Sequence, residues 1–521
     1  MEENKLVIVN STKDVLINQK NIFYINIGDG NAHIHNSKKI SLKDYRKIYY
    51  EKYKKKLLEG LNKKVAETEN KIPFFIELEI FNLRNDKNTN IDLIINILII
   101  KEIIKKYKFK EISLITDNLL TQEIFKKQYP AIKSLNKNIK LTDNKLSFLK
   151  ITKFYLKAFF IIILFKFSKK KMIKSNNNEA CLSLKPIFYK KDKEIFFANK
   201  DMIKFNFLLT DESHLNFSLI DIIKTMKSED KNLIHVESFI NFKELIMSLV
   251  KSYHYLFLTK DINIKFEIDT VDLSKFYEDY VISSLINRLK LNIYNEGLIR
   301  ALKKFKIKKF NLYLFEYSLG FFLIGLIKRR LNKIKIIGHQ HGIFSNKLLW
   351  FDLLIKNKNK NSYMPHEIVS FNLQSFKDYR EKIKSKKVKF IFKNKIKSKM
   401  SRECIKSKES KYKNNILVLA GTHDASTIYK NIKKKISNNN NKDIFYLKFH
   451  PKKKIPALNL KNLKIISSIK NIKFSKVLVS PTSTLVYDFI QLNFFFMVYI
   501  VDYKENLISS GLSSKVKFYY F

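Results

Sequence analysis

The chain reads as an α/β protein built from successive layers of parallel sheet and helix. Two observations predict this. Short apolar, β-branched runs alternate with longer stretches of helical period along most of the sequence. Several of those runs end in small or polar turns that lead directly into helices, as strands do in an open α/β sheet. At 521 residues the chain is too long for one ordinary core, so two or three domains are expected.

Within residues 1–145, strands are predicted at Leu6–Val9, Phe23–Ile27, Phe74–Ile80 and Ile112–Ile115, with helices over 41–66 and 91–107. The Gly-Asp-Gly-Asn stretch at 28–31 lacks the context of a dinucleotide fingerprint and reads as a turn. Residues 146–179 form a basic amphipathic connector. Its apolar run, Ala158 to Phe165, is bracketed by Lys150, Lys153, Lys157 and Lys166, too short to span a bilayer. Further lysines at 169–171 and 174 suit a helix held by charge on an anionic leaflet. A buried helix between domains with snorkelling lysines is the other reading.

Residues 180–375 form a second α/β domain, with short β-like runs at Ile195–Ala198 and Tyr255–Leu258 and helical stretches around 215–228, 241–252 and 277–306. Near its end a strand, Leu312 to Phe315, runs into Glu316. A helix follows over Leu319–Ile327, and a strand over Ile334–Ile337 runs into Gly338-His339-Gln340-His341-Gly342. Glu316 and His341 thus fall at the ends of consecutive strands, about 4.8 Å apart if adjacent. A carboxylate and an imidazole so placed are the parts of a general base and its partner, although an ion pair with a local lysine also accounts for Glu316. His339 and His341 have no third or fourth ligand nearby, and no metal is expected. Another strand is predicted at 367–371. The Lys-rich stretch 376–411 shows no clear apolar period and reads as a linker or exposed basic arm.

The last domain, 412–521, carries the most informative stretches. Strand Ile416–Leu419 leads into a loop at Gly421 and Thr422, where the glycine lets the backbone come close to a diphosphate. Strand Ile444–Leu447 leads into His450 and Pro451. Strand Val477–Val479 leads into the hydroxyl-rich turn Ser480–Thr484, before a helix from Leu485, and a last strand is expected at Phe494–Val501. Backbone N–H groups, hydroxyls, a helix start and an imidazole would converge there as an anion site. Simple helix capping by Ser and Thr is the alternative.

A His-Pro pair followed by a Ser/Thr turn and an acidic helix residue resembles the C-terminal half of GT-B glycosyltransferases that build bacterial surface polysaccharides. Capsule and lipopolysaccharide transferases, polysialyltransferases and teichoic-acid glycerophosphotransferases are related to these. The resemblance implies that His450, Ser483 and Thr484 hold the donor phosphates and that Asp488 reaches the ribose. Phe315-Glu316 and Gln340-His341-Gly342 resemble the N-terminal catalytic half. By that resemblance Glu316 is the base, with His341 second, and Gln340 and Gly342 lie on the acceptor side. The implied architecture is a GT-B pair of Rossmann-type domains facing across a cleft, with an additional N-terminal α/β domain. The implied substrates are a nucleotide sugar and a saccharide or lipid-linked acceptor, with no cofactor. An Asp-x-Asp triplet, the metal-bridging signature of the other large transferase fold, is absent from the sequence. A sugar-nucleotide epimerase of the same shape is the nearest alternative.

The formal charge of +52 favours anionic partners. Part of it follows a Lys-, Asn- and Ile-rich composition, and no nucleic-acid-binding module stands out, so nucleic acid is not an expected partner, though a basic nucleic-acid-binding protein is a further alternative. Cys181 and Cys404 suggest neither a disulfide framework nor a zinc site. The acidic start, MEENKLVIVN, does not read as a signal peptide. The expected location is the cytoplasm, with peripheral contact at the cytoplasmic face of the inner membrane.

Overall fold

Three sheets repeat one winding rule. The computed structural model describes residues 5–11, 15–17, 22–28, 32–34, 37–78, 89–134, 147–167, 178–183, 202–209, 220, 223, 232–314, 318–340, 344, 360–393, 399–421, 424–437, 442–450, 458–500, 512 and 514–521. The chain divides into two compact units. One comprises residues 1–83, 88–337 and 352–365, the other 84–87, 338–351 and 366–521.

The first sheet lies in the first unit. Its strands are β1 (Lys5–Asn10), β3 (Phe23–Asn26), β5 (Lys38–Lys39), β6 (Glu111–Thr116) and β7 (Lys133–Ser134), in spatial order β5-β3-β1-β6-β7, all parallel. β2 (Val15–Ile17) and β4 (Ala32–Ile34) form a separate parallel pair. Leu6, Val7, Ile8 and Val9 of β1 are all buried, as a strand covered on both faces requires.

The second sheet runs β10-β9-β8-β13-β14-β15-β16. Its strands are β8 (Glu179–Ser183), β9 (Ile203–Asn206), β10 (Leu233–His235), β13 (Lys309–Tyr313), β14 (Lys335–His339), β15 (Glu367–Ser370) and β16 (Lys389–Phe392). The division between the units falls inside β14. β11 (Glu267–Ile268) and β12 (Val271–Asp272) make a small antiparallel hairpin.

The third sheet, in the second unit, has the order β19-β18-β17-β20-β21-β22 and is wholly parallel. Its strands are β17 (Asn415–Leu419), β18 (Ile444–Lys448), β19 (Leu463–Ile465), β20 (Lys476–Val479), β21 (Met497–Ile500) and β22 (Lys517–Tyr520). Alternate side chains feed two cores. Leu417, Leu419, Val477 and Val479 pack with helix Leu485–Gln491. Ile416, Val418 and Leu478 pack with Ala425, Ile428 and Ile432 of helix Ala425–Ser437. Counted along the chain within each large sheet, the first strand lies centrally between the second and the fourth, and the order reverses there. That is the order of doubly wound, Rossmann-like sheets.

Three expectations change. Phe74–Ile80 is not a strand over its described part. Phe75–Glu77 is a 3-10 turn set just past Pro73, and buried Glu77 accepts from Arg288 Nε at 2.5 Å and Arg329 Nη2 at 3.2 Å. Tyr255–Leu258 is the end of helix Phe242–Leu258. Glu244 Oε2 caps the start of that helix by accepting from Asn241 N at 3.1 Å, and Tyr255 meets the Phe74 ring edge-on at 4.8 Å. Packing thus overrides the β preference of Tyr-Leu-Phe-Leu. The Lys-rich stretch, expected to be irregular, holds helix Leu373–Ile383, strand β16 and helix Lys399–Ser407, with Cys404 fully buried in the third sheet's core. The predicted strand at 195–198 lies outside the described residues, as do 29–31 and most of the helical stretch 215–228. No helix among the described residues is long and apolar enough to cross a membrane.

Candidate functional site

The crevice outside the carboxyl ends of strands, where strand order reverses, is where open α/β sheets bind ligands. In the third sheet that point lies between β17 and β20. Leu419 is in register with Lys448 on one side and Val479 on the other. Ala420 N donates to Lys448 O at 3.0 Å, and Ser480 N donates to Leu419 O at 3.1 Å. Three segments therefore leave the sheet at one level, led by Gly421, His450 and Ser480.

A carboxylate that was not singled out in the sequence organises this edge. Asp424 Oδ1 accepts from Gly421 N at 2.8 Å. Its Oδ2 accepts from Ser480 Oγ at 2.6 Å and from Tyr499 OH at 2.9 Å. Ser480 and Tyr499 are fully buried, and burial, reinforced by Asp424, pushes the Tyr499 phenol well above its ordinary range. Tyr499 therefore stays protonated and donates. Gly421 is needed for a reason other than the one read from the sequence. A Cβ there would lie 2.4 Å from Ser480 Oγ, 2.8 Å from Thr482 Oγ1 and 2.9 Å from Asp424 Oδ1. Its N–H is spent on Asp424, so the glycine joins two loops and offers no donor to a diphosphate. The signals were Asp424 immediately before a helix and a Tyr inside the apolar run of a late strand.

The hydroxyl turn lies beside this network. Thr482 Oγ1 is 3.0 Å from Ser480 Oγ, and Ser483 Oγ accepts from Leu485 N at 3.3 Å. Thr484 occupies the N-cap position but makes no side-chain cap hydrogen bond. The helix it precedes has seven residues, too short for its dipole to carry the site. Any capacity to hold an anion here rests on hydroxyls and on His450, which, like Thr482, Ser483 and Thr484, is half-buried. Asp488, expected to reach a ribose, is buried in that helix.

Two of the sequence motifs meet within the second unit. Tyr487 OH accepts from Phe344 N at 2.7 Å and also bonds Ser375. Ser375 Oγ accepts from Gln340 Nε2 at 2.8 Å, and Gln340 Oε1 accepts from Phe371 N at 3.1 Å. Gln340, expected to face an acceptor, is buried and spends its amide on this bracket. The bracket ties the end of β14 to the helix after the hydroxyl turn. Glu316, His341, Gly342, Thr422 and Pro451 lie outside the described residues.

No family model, curated protein or solved structure matches this chain.

A second polar edge, also not anticipated from the sequence, closes the strands of the second sheet. Ser183, Asn206 and His235 end β8, β9 and β10 in register, all buried. Just past β10, Glu237 is fully buried. Its Oε1 accepts from Leu208 N and from Tyr294 OH, each at 2.5 Å. Burial raises its carboxyl to about 7, against the lowering effect of those donors. Polar residues ending three apolar runs were the signal. Glu316 follows β13, the strand beside β8 at this sheet's reversal, by three residues in sequence.

Proposed function

We propose that the chain is a metal-independent glycosyltransferase of GT-B type. It transfers a sugar from a nucleotide donor to a saccharide or lipid-linked acceptor in surface polysaccharide synthesis. The observation that carries this reading is that β18, β17 and β20, at and beside the reversal of a wholly parallel sheet, end at one level and lead into His450, the Gly421 loop and the Ser480–Thr484 turn. Such a point is where α/β sheets take nucleotides, and the half-buried residues that follow these strand ends carry an imidazole and hydroxyls.

In the proposed reaction an acceptor oxygen bonds to the anomeric carbon while that carbon's bond to the phosphate oxygen breaks. The acceptor proton passes to Glu316, with His341 the second candidate. The departing nucleoside diphosphate gathers negative charge, which His450 and the hydroxyls of Ser483 and Thr484 stabilise by fixed, preorganised hydrogen bonds. Asp424, Gly421 and Tyr499 hold the two loops in place.

The test is a panel of nucleotide sugars added to the purified chain, with melting temperature and product both followed. A rise in melting temperature with one donor class, and transfer only when acceptor is present, supports the reading. No stabilisation by any donor, or release of epimerised sugar without acceptor, overturns it.

A further inference from the structure

Helices Ser147–Phe167 and Phe242–Leu258 lie side by side in the first unit. Thr152 Oγ1 and Tyr253 OH are 2.5 Å apart, Phe148 stacks on Tyr253 at 5.6 Å, and Phe159 meets Phe242 at 5.3 Å. Their inner faces are committed to the core through Ile151, Tyr155 and Ile162 on one and Leu245 and Leu256 on the other. Their outer faces are apolar too. Leu149, Leu156 and Phe160 are about 60 % exposed on the first, and Ile246, Val250 and Phe257 are 53–61 % exposed on the second. Spacings of four and seven keep each trio on one helical face.

Of 23 large apolar side chains exposed among the described residues, ten stand on these two helices. Scattered singles need no explanation, but a concentration on two packed helices marks an interaction surface. Lys150, Lys153, Lys166, Lys243 and Lys251 are exposed on the same helices. The first helix carries no acid, and the one acid of the second, Glu244, is paired with Arg300.

We propose that this two-helix face docks on an anionic lipid bilayer. The apolar side chains enter the boundary between headgroups and acyl chains, and the lysines reach back to lipid phosphates. Charge selects this occupant. A second copy would bring the same lysines and a net +52 against themselves, whereas an apolar protein partner would strip those lysines of water. The basic amphipathic helix that the sequence suits to an anionic leaflet gains a neighbour and a second apolar stripe. The inference stands on this surface and not on the proposed reaction.

The experiment is co-sedimentation of the full chain with vesicles of phosphatidylcholine alone and with added phosphatidylglycerol. Strong preference for the anionic vesicles is expected, weakened but not abolished by salt. Leu156→Ser with Phe160→Ser, and separately Ile246→Ser with Val250→Ser, should each lower partitioning at least about tenfold. Lys150→Gln and Lys153→Gln should each lower it about fivefold. All these positions are exposed, so circular dichroism should show the fold kept, and nucleotide affinity measured in the same variants should not change. Equal partitioning of wild type and variants overturns the proposal. So does a wild-type dimer that the serine variants dissociate, because the face would then belong to a second copy.

Discussion

Replacing Gly421 with Ala tests how the edge of the third sheet is built. The new Cβ would lie 2.4 Å from Ser480 Oγ, where carbon and oxygen ordinarily keep well over 3 Å, so the hydroxyl must retreat by about 1 Å. Ser480 is fully buried and its neighbours are fixed, so it cannot retreat without giving up its 2.6 Å bond to Asp424. Overpacking of this kind costs about 1–3 kcal/mol. A lost hydrogen bond to a charged partner costs about 1.5–3 kcal/mol. Some relaxation is shared between them, which leaves about 2–4 kcal/mol. For a unit of this size that corresponds to a fall of about 5–12 °C in melting temperature. Differential scanning calorimetry reads it directly. Ser480→Ala removes the nearest clashing atom, so the double variant should lose at least about 1 kcal/mol less than the two single losses added together. An unchanged melting temperature in Gly421→Ala, or strict additivity, would refute the reasoning.

Three further outcomes are expected. Glu237 holds its proton up to about pH 7 in the folded chain and only to about 4.5 when unfolded, so its contribution to stability is present below about pH 4.5 and is lost as pH rises towards and past 7. Glu237→Gln should remove that loss, worth about 3 kcal/mol, and denaturant titrations at pH 5 and pH 8 should show a flatter profile than wild type. Arg288→Met strips a buried charge from Glu77, and chemical unfolding should show a loss of about 3–5 kcal/mol. Glu316→Gln should slow transfer by about 10²- to 10⁴-fold with donor affinity intact, as measured by product formation beside nucleotide titration. Full activity would return Glu316 to an ion-pairing role.

Much of the architecture was legible in the chain. The runs Leu6–Val9, Ile416–Leu419 and Val477–Val479 are apolar throughout because parallel strands are covered on both faces, and they stand out for that reason. Glu77 hid the turn at 75–77, since a buried acid is explained only by its arginine partners, Arg288 and Arg329, far away in sequence. The helices at 373–383 and 399–407 escaped notice because few apolar positions, such as Tyr379, Ile383 and Cys404, anchor them among many lysines. At the candidate site the strand ends and the hydroxyl turn were readable from local pattern. The Asp424 network was not, because Gly421, Ser480 and Tyr499 come together only when β17, β20 and β21 are laid side by side. Gln340 was recognisable as part of a motif, but its bonds to Ser375 and Phe371 depend on packing that no spacing reveals.

The most direct test of the proposed donor site is calorimetric titration of nucleoside diphosphates into four proteins: wild type, His450→Ala, Thr484→Val and the double variant. Thr484 makes no cap bond, so Thr484→Val should melt as wild type does, where a capping role would cost about 1 kcal/mol. Each single change should weaken binding by about 1.5–3 kcal/mol, and the double loss should depart from the sum because both groups meet one ligand. Nucleotide affinity unchanged in His450→Ala would contradict the donor-site assignment, and with it the reading of this chain as a glycosyltransferase.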